Sequence, residues 1–225
     1  MDDLATKLLE ALDQDQVEVV KQLRGPVSII AGPGSGKTRV VSHRIAYGIA
    51  TGVYDPSKVL ALTYTNKAAA ELRTRLRGLG AAGVQVRTFH AAALSQLQFF
   101  WPQLTGGLAP KLATNKYQLL RDAAELNGFK LDDSLVRELI AVIEWHRYSL
   151  TEPSIHSLET MTSAISGQKF LELIGSFESV KQDRKVIDWE DVLLLCTGLM
   201  RAEPRMLEHF QQQYRFFTVD EYQDI

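Results

Sequence analysis

The stretch AGPGSGKT at residues 31–38 constrains this chain more than any other. It follows the short apolar run VSIIA at 27–31 and precedes TRVVSHRIAYGIAT, where Val40, Val41, Ile45 and Ile49 recur at helical spacing. Gly32, Gly34 and Gly36 let backbone N–H groups crowd around phosphate oxygens, with Pro33 and Ser35 between them. The positive end of the following helix adds to the same place. Lys37 reaches the outer phosphates as a point charge, and the Thr38 hydroxyl is placed to ligate Mg²⁺. The general pattern begins with glycine; Ala31 stands there, and the position mainly needs a small residue. The segment is therefore expected to bind ATP or GTP with Mg²⁺. An ordinary glycine turn is the plainer reading, and the strand-then-helix context counts against it.

Two further apolar runs, VLALT at 59–63 and FFTV at 216–219, are uninterrupted like VSIIA. Runs of this kind suit strands buried on both faces of a parallel sheet, and alternation with helix makes the first part of the chain α/β. From about 95 to 186 the patterns are helical, with no strand signal. In KFLELIGSFESV, for instance, Phe170, Leu173, Ile174 and Phe177 share one face. The expected organisation is an α/β first part at 1–94, an all-helical inserted domain at 95–186 with Trp101 and Trp145 in its core, and a return at 187–225. The return holds a helix broken near Pro204, a second short helix and the last strand.

That strand runs straight into Asp220 and Glu221. A phosphate-loop enzyme needs such a pair opposite its lysine: Asp220 to hold the Mg²⁺ shell, Glu221 to orient or deprotonate the attacking water. A "DE" pair after an apolar run is more often an exposed turn when it stands alone. Together with the upstream loop it reads as a Walker B strand, with Lys37, Asp220 and Glu221 as the catalytic set.

The composition excludes several classes. No stretch approaches the roughly 18 apolar residues of a membrane helix, and MDDLATKLLEALDQ is acidic and amphipathic where a secretory signal is basic then apolar. The single cysteine, Cys196, rules out an intrachain disulfide and fits a packed thiol in a reducing cytoplasm. A net charge of −2 means that any nucleic-acid surface has to be local. Residues 58–90 supply one: Lys58, Lys67, Arg73, Arg75, Arg77 and Arg87 stand against Glu71 alone. Such a run is usually a solvated helix face. Tyr64, just past one strand end, and Phe89 with His90, just past VQVRT, add rings that stack on unpaired bases, while Thr65, Asn66 and Thr88 hydrogen-bond phosphates.

At this point the chain resembles the UvrD/PcrA/Rep-like helicases of superfamily 1, within them most nearly an actinobacterial UvrD-type branch. Six segments carry the resemblance in order: LDQDQVEVV at 12–20, AGPGSGKTRVVSHRIAYGIA, ALTYTNKAAAELRTRL at 61–76, VRTFHAAAL at 86–94, IDWEDVLLL at 187–195 and VDEYQD at 219–224. Pro33 and Tyr64 depart from the commoner alanine and phenylalanine. The resemblance implies a RecA-like P-loop NTPase sheet and a 3′ to 5′ ATP-dependent DNA helicase acting on single strands and duplex junctions. It places Gln16 against the adenine edge, which favours ATP. Arg39 either lies along the base or faces water, and Trp189 reads as core or interdomain packing. The family closes ATP between two RecA-like domains, so a second such domain is an implied partner. The family's sheet sets the strand after Walker B between the Walker A and Walker B strands; a chain ending at Ile225 is thus expected to be truncated before a central strand. The competing expectation is a nucleotide-binding module with little turnover by itself. A small-molecule phosphotransferase would need a lid and an acceptor site, and neither is visible.

Overall fold

The computed structural model describes residues 2–224; Met1 and Ile225, the outer limits of the expected first and last segments, lie outside the described residues. Along the chain come α1 (Asp2–Glu10), α2 (Gln14–Lys21), α3 (Lys37–Ala50), β1 (Val59–Thr63), α4 (Asn66–Gly78), β2 (Gln85–Thr88) and α5 (Phe89–Thr105). Then follow β3 (Lys111–Leu112), α6 (Lys116–Leu126), α7 (Asp133–Tyr148), α8 (Ile155–Met161), α9 (Gly167–Asp183), β4 (Val186–Ile187), α10 (Trp189–Ala202), α11 (Pro204–Gln213) and β5 (Phe216–Val219). Side chains stop and start most of these helices locally. Asp13, Thr65, Asn115, Asp132, Ser154 and Ser166 each accept from a backbone N–H in the first turn that follows. Pro204 opens α11, where its missing N–H costs nothing.

The chain divides into two compact units, 1–92 with 199–225, and 93–198. The first holds a parallel sheet of order β2-β1-β5. β1 is central and buried at every position, as an uninterrupted apolar run requires. Its two faces feed two clusters. Val59 and Ala61 pack with Val41 and Ile45 of α3 and Leu72 and Leu76 of α4; Leu60 and Leu62 pack with Tyr214 and Val219. Tyr54 ties α3 to this sheet: its ring lies 4.2 Å from that of Phe216 and its hydroxyl donates to Leu23 O at 2.8 Å. A Cβ on Gly48 would stand 2.3 Å from the same ring, so only glycine fits there.

The expected strand at 27–31 does not form. The segment pairs with no strand among the described residues, Val27 and Ile29 are half-buried, and Ile30 is 95% exposed. A strand is held by ladder hydrogen bonds to a neighbour, and apolar composition cannot supply the neighbour. β5 likewise is not buried on both faces, because Phe217 is exposed.

The second unit is helical around Leu120, Leu139, Phe170, Leu173 and Phe177, all fully buried. The predicted apolar face of α9 is correct, with Ile174 at its half-buried margin. Two expectations are overturned. β3 and β4 pair in parallel, two residues each, within a stretch that shows no strand pattern. Trp145 is 50% exposed and Trp101 half-buried, so Trp145 is no core residue.

A buried charge network closes this unit. Lys181 donates to Asp188 at 3.0 Å and Asp191 at 2.7 Å, and Arg147 bridges Asp191 to Glu178. Asp188 and Asp191 accept from each other's backbone N–H at the start of α10. Cys196, two turns further along α10, is also buried; burial pushes its thiol up to about 11, which keeps it protonated at neutral pH.

Candidate functional site

The glycine loop is an exposed turn ahead of α3. Gly34 and Gly36 take φ of 76° and 84°, in the left-handed region that favours glycine, and Gly36 is the N-cap of α3. Lys37, the first residue of the helix, folds back and donates to Ala31 O at 2.9 Å and Gly32 O at 3.0 Å. Its ammonium therefore sits within the loop, where a phosphate-binding charge is needed. Pro33 and Ser35 complete the turn, the Ser35 hydroxyl donating to Gly32 O at 2.8 Å.

The N-terminal helices are stitched to the loop. Gln16, in α2, donates from Nε2 to Ser35 O at 3.3 Å. Arg39, exposed on the first turn of α3, donates to Ala11 O. Its remaining N–H groups face outward on an exposed side chain, which leaves both sequence alternatives for Arg39 standing.

At the far end of the chain, β5 delivers Asp220 to the same place. The Asp220 N–H donates to Leu62 O at 2.9 Å, extending the β1–β5 ladder by one residue. The Asp220 side chain is buried, accepts from the Glu221 N–H at 3.1 Å, and has the Thr38 side chain beside it. Burial pushes its carboxyl above the usual carboxylate range, and the Glu221 charge pushes the same way; the Glu221 N–H, Thr38 and Arg75 oppose them. Glu221 has φ of 54°, uncommon for a side chain of this kind, and its carboxylate accepts from Gln223, a partner with no signal in the spacing of the motif.

This donor set fits a hydrated Mg²⁺. The ion usually takes one or two protein oxygens and leaves its remaining positions to phosphate and water, which is what one hydroxyl and one carboxylate offer. A cation there would also relieve the charge that burial penalises at Asp220. Among the described residues no cluster of three His, Cys, Asp or Glu side chains could hold a metal unaided.

The second group of expected residues gathers at the same end of the parallel sheet, where its strands finish. Thr63 and Thr88 are register partners in β1 and β2, so Tyr64 and Phe89 leave neighbouring strands one residue later at the same end. Tyr64 is 56% exposed; Phe89 and His90 are half-buried, Phe89 against the Leu60–Tyr214 cluster. Thr65 caps α4, Asn66 is its first residue, and nearly buried Thr88 caps α5 by accepting from Ala91 N at 3.2 Å. Each capping hydroxyl keeps its proton for another acceptor.

The basic run divides. Lys58 donates to Gln212 O at 2.9 Å and Arg75 pairs with Glu71 at 3.0 Å, both within the fold. Arg73, which donates to Val86 O at 2.8 Å, and Arg87 line a cavity of about 600 Å³ with Asn66, Gln85 and Thr88. Trp189, read from the sequence as core or interdomain packing, is 46% exposed at the start of α10, so it is not a core residue.

Residues 12–225 match the UvrD/REP helicase N-terminal domain. The chain is 35% identical over 233 residues to the ATP-dependent DNA helicase UvrD2 of Mycobacterium tuberculosis, covering 97% of this chain and 33% of the relative. It is 32% identical over 224 residues to Rep of Escherichia coli, covering 95% and 32%, and 30% identical over 237 residues to PcrA of Bacillus subtilis, covering 100% and 31%. The chain thus spans about a third of the length of these relatives. With the match running through the glycine loop and the acidic pair alike, the chain belongs to the family of UvrD/REP helicase N-terminal domains.

Proposed function

We propose that this chain is the ATP-binding part of a 3′ to 5′ DNA helicase or translocase that acts in the cytoplasm on single strands and duplex junctions. The observation that carries the proposal is the meeting of Thr38, beside the loop lysine, with buried Asp220, at the end of β5. It is supported by the names of the relatives, each an ATP-dependent DNA helicase.

In this reading, loop amides of residues 32–36 and Lys37 hold the β- and γ-phosphates, Gln16 and Arg39 border the base, and Thr38 with Asp220 hold Mg²⁺. The bound cation would neutralise phosphate charge as it develops during hydrolysis. Glu221 orients the attacking water and takes its proton. Tyr64, Phe89 and His90 stack on bases, while Thr65, Asn66 and Thr88 hold phosphates, with Arg73 and Arg87 supplying positive charge. A second RecA-like domain supplies the other wall of the nucleotide cleft. Arginines from such a wall are worth about 10³ to 10⁵ in rate, so this chain by itself is expected to bind nucleotide with little turnover.

ATP hydrolysis and binding of a fluorescent ATP analogue, each with and without oligo-dT, test the proposal. Mg²⁺-dependent nucleotide binding that Lys37→Ala lowers at least about tenfold supports it. Transfer of phosphate to a small acceptor, indifferent to DNA, would replace it with a phosphotransferase.

A further inference from the structure

Thr63, the last residue of β1, is fully buried, yet its Oγ1 has no hydrogen-bond partner among the described residues. Buried hydroxyls are normally paired, and one left alone costs stability unless something absent from the free protein completes it. The register shows what stands beside it. Leu62 pairs with Val219, and the ladder continues through Asp220 N to Leu62 O, so Thr63 and Asp220 are neighbours on adjacent parallel strands. Side chains alternate along a strand, and register partners in parallel strands share a face. Leu62 and Val219 point to the Tyr214 side; Ala61, and with it Thr63 and Asp220, points to the side of α3 and α4. That is the side from which Thr38 reaches Asp220.

We propose that Thr63 is a further positioning residue of the metal edge, its Oγ1 accepting a hydrogen bond from the hydrated Mg²⁺ held by Thr38 and Asp220. The inference rests on the nucleotide-binding reading above. It explains why a polar side chain ends a strand that is otherwise Val, Leu, Ala and Leu. A valine of the same shape would fill the site without leaving a hydroxyl unpaired, so packing alone gives no reason for threonine.

The test compares wild type with Thr63→Val, Thr63→Ser and Thr63→Ala, read by thermal melting of the free chain and by Mg²⁺ titration of fluorescent ATP-analogue binding. Thr63→Val is expected to melt at the same temperature as wild type or a few degrees higher, about 2–4 °C. Its Mg²⁺ midpoint should rise about tenfold while metal-free nucleotide binding is unchanged. Thr63→Ser should restore the wild-type midpoint, and Thr63→Ala should shift it as valine does. An unchanged midpoint in the valine and alanine variants overturns the proposal, as does equal loss of binding with and without the metal, which marks a packing role. A wild-type chain that shows no Mg²⁺-dependent nucleotide binding removes the functional reading itself, a different result from a metal response that ignores Thr63.

Discussion

Thr38, in the first turn after the glycine loop, stands beside Asp220 at the end of β5, although a helical unit separates them in sequence. Neither residue could find the other through local structure. They meet because β5 adds to β1 in parallel and α3 packs on the face to which Asp220 points.

Asp220 gives a prediction with a sign. Its folded-state carboxyl holds its proton more tightly than the unfolded chain does, mainly through burial. Stability therefore falls as pH rises from the ordinary carboxylate value of about 3.8 to the raised folded value, and the penalty is complete above it. Asp220→Asn should melt higher than wild type at pH 7 and lose that advantage near pH 3, while Mg²⁺-dependent binding of a fluorescent ATP analogue weakens at least about tenfold. Added Mg²⁺ with nucleotide should raise the melting temperature of wild type and not of the variant. A variant that melts lower at pH 7 would show that the carboxylate stabilises the free fold.

Tyr64 is the most exposed of the ring residues assigned to DNA. Tyr64→Ala should weaken binding of oligo-dT by about 1–3 kcal/mol, measured by fluorescence anisotropy at fixed salt, with ATP-analogue binding intact. Equal loss of both would mean that the fold has been damaged.

Lys181 is the more deeply buried of the network's two cations, between Asp188 and Asp191. Lys181→Met leaves two buried carboxylates facing each other at the start of α10. The cost should be about 3–5 kcal/mol, read as an early loss of helical circular dichroism on heating. Returning the network to its original net charge with Lys181→Met and Asp188→Asn together should recover part of that loss.

Gly48 faces the Tyr54 ring with no room for a methyl group. Gly48→Ala should destabilise the first unit by about 1–3 kcal/mol in urea unfolding, against the usual helix-stabilising sign of that substitution. Gly48→Ala combined with Tyr54→Ala should show strong non-additivity, since the second change opens the space the first one needs.

What the sequence determined by itself was mostly local. The glycine loop is legible because only glycine takes the φ of Gly34 and Gly36 at low cost, and the helices because their caps and apolar stripes lie within a few residues of one another. The tertiary structure decided whatever needs a distant partner. VSIIA reads as a strand and has no ladder to join; β3 and β4 carry no pattern and pair because α9 returns the chain beside them. Trp145 and Trp189 are apolar by type and exposed by placement. Strand identity, burial and the meeting of Thr63, Thr38 and Asp220 are set by hydrogen bonds and packing between residues far apart in the chain, which spacing along it does not encode.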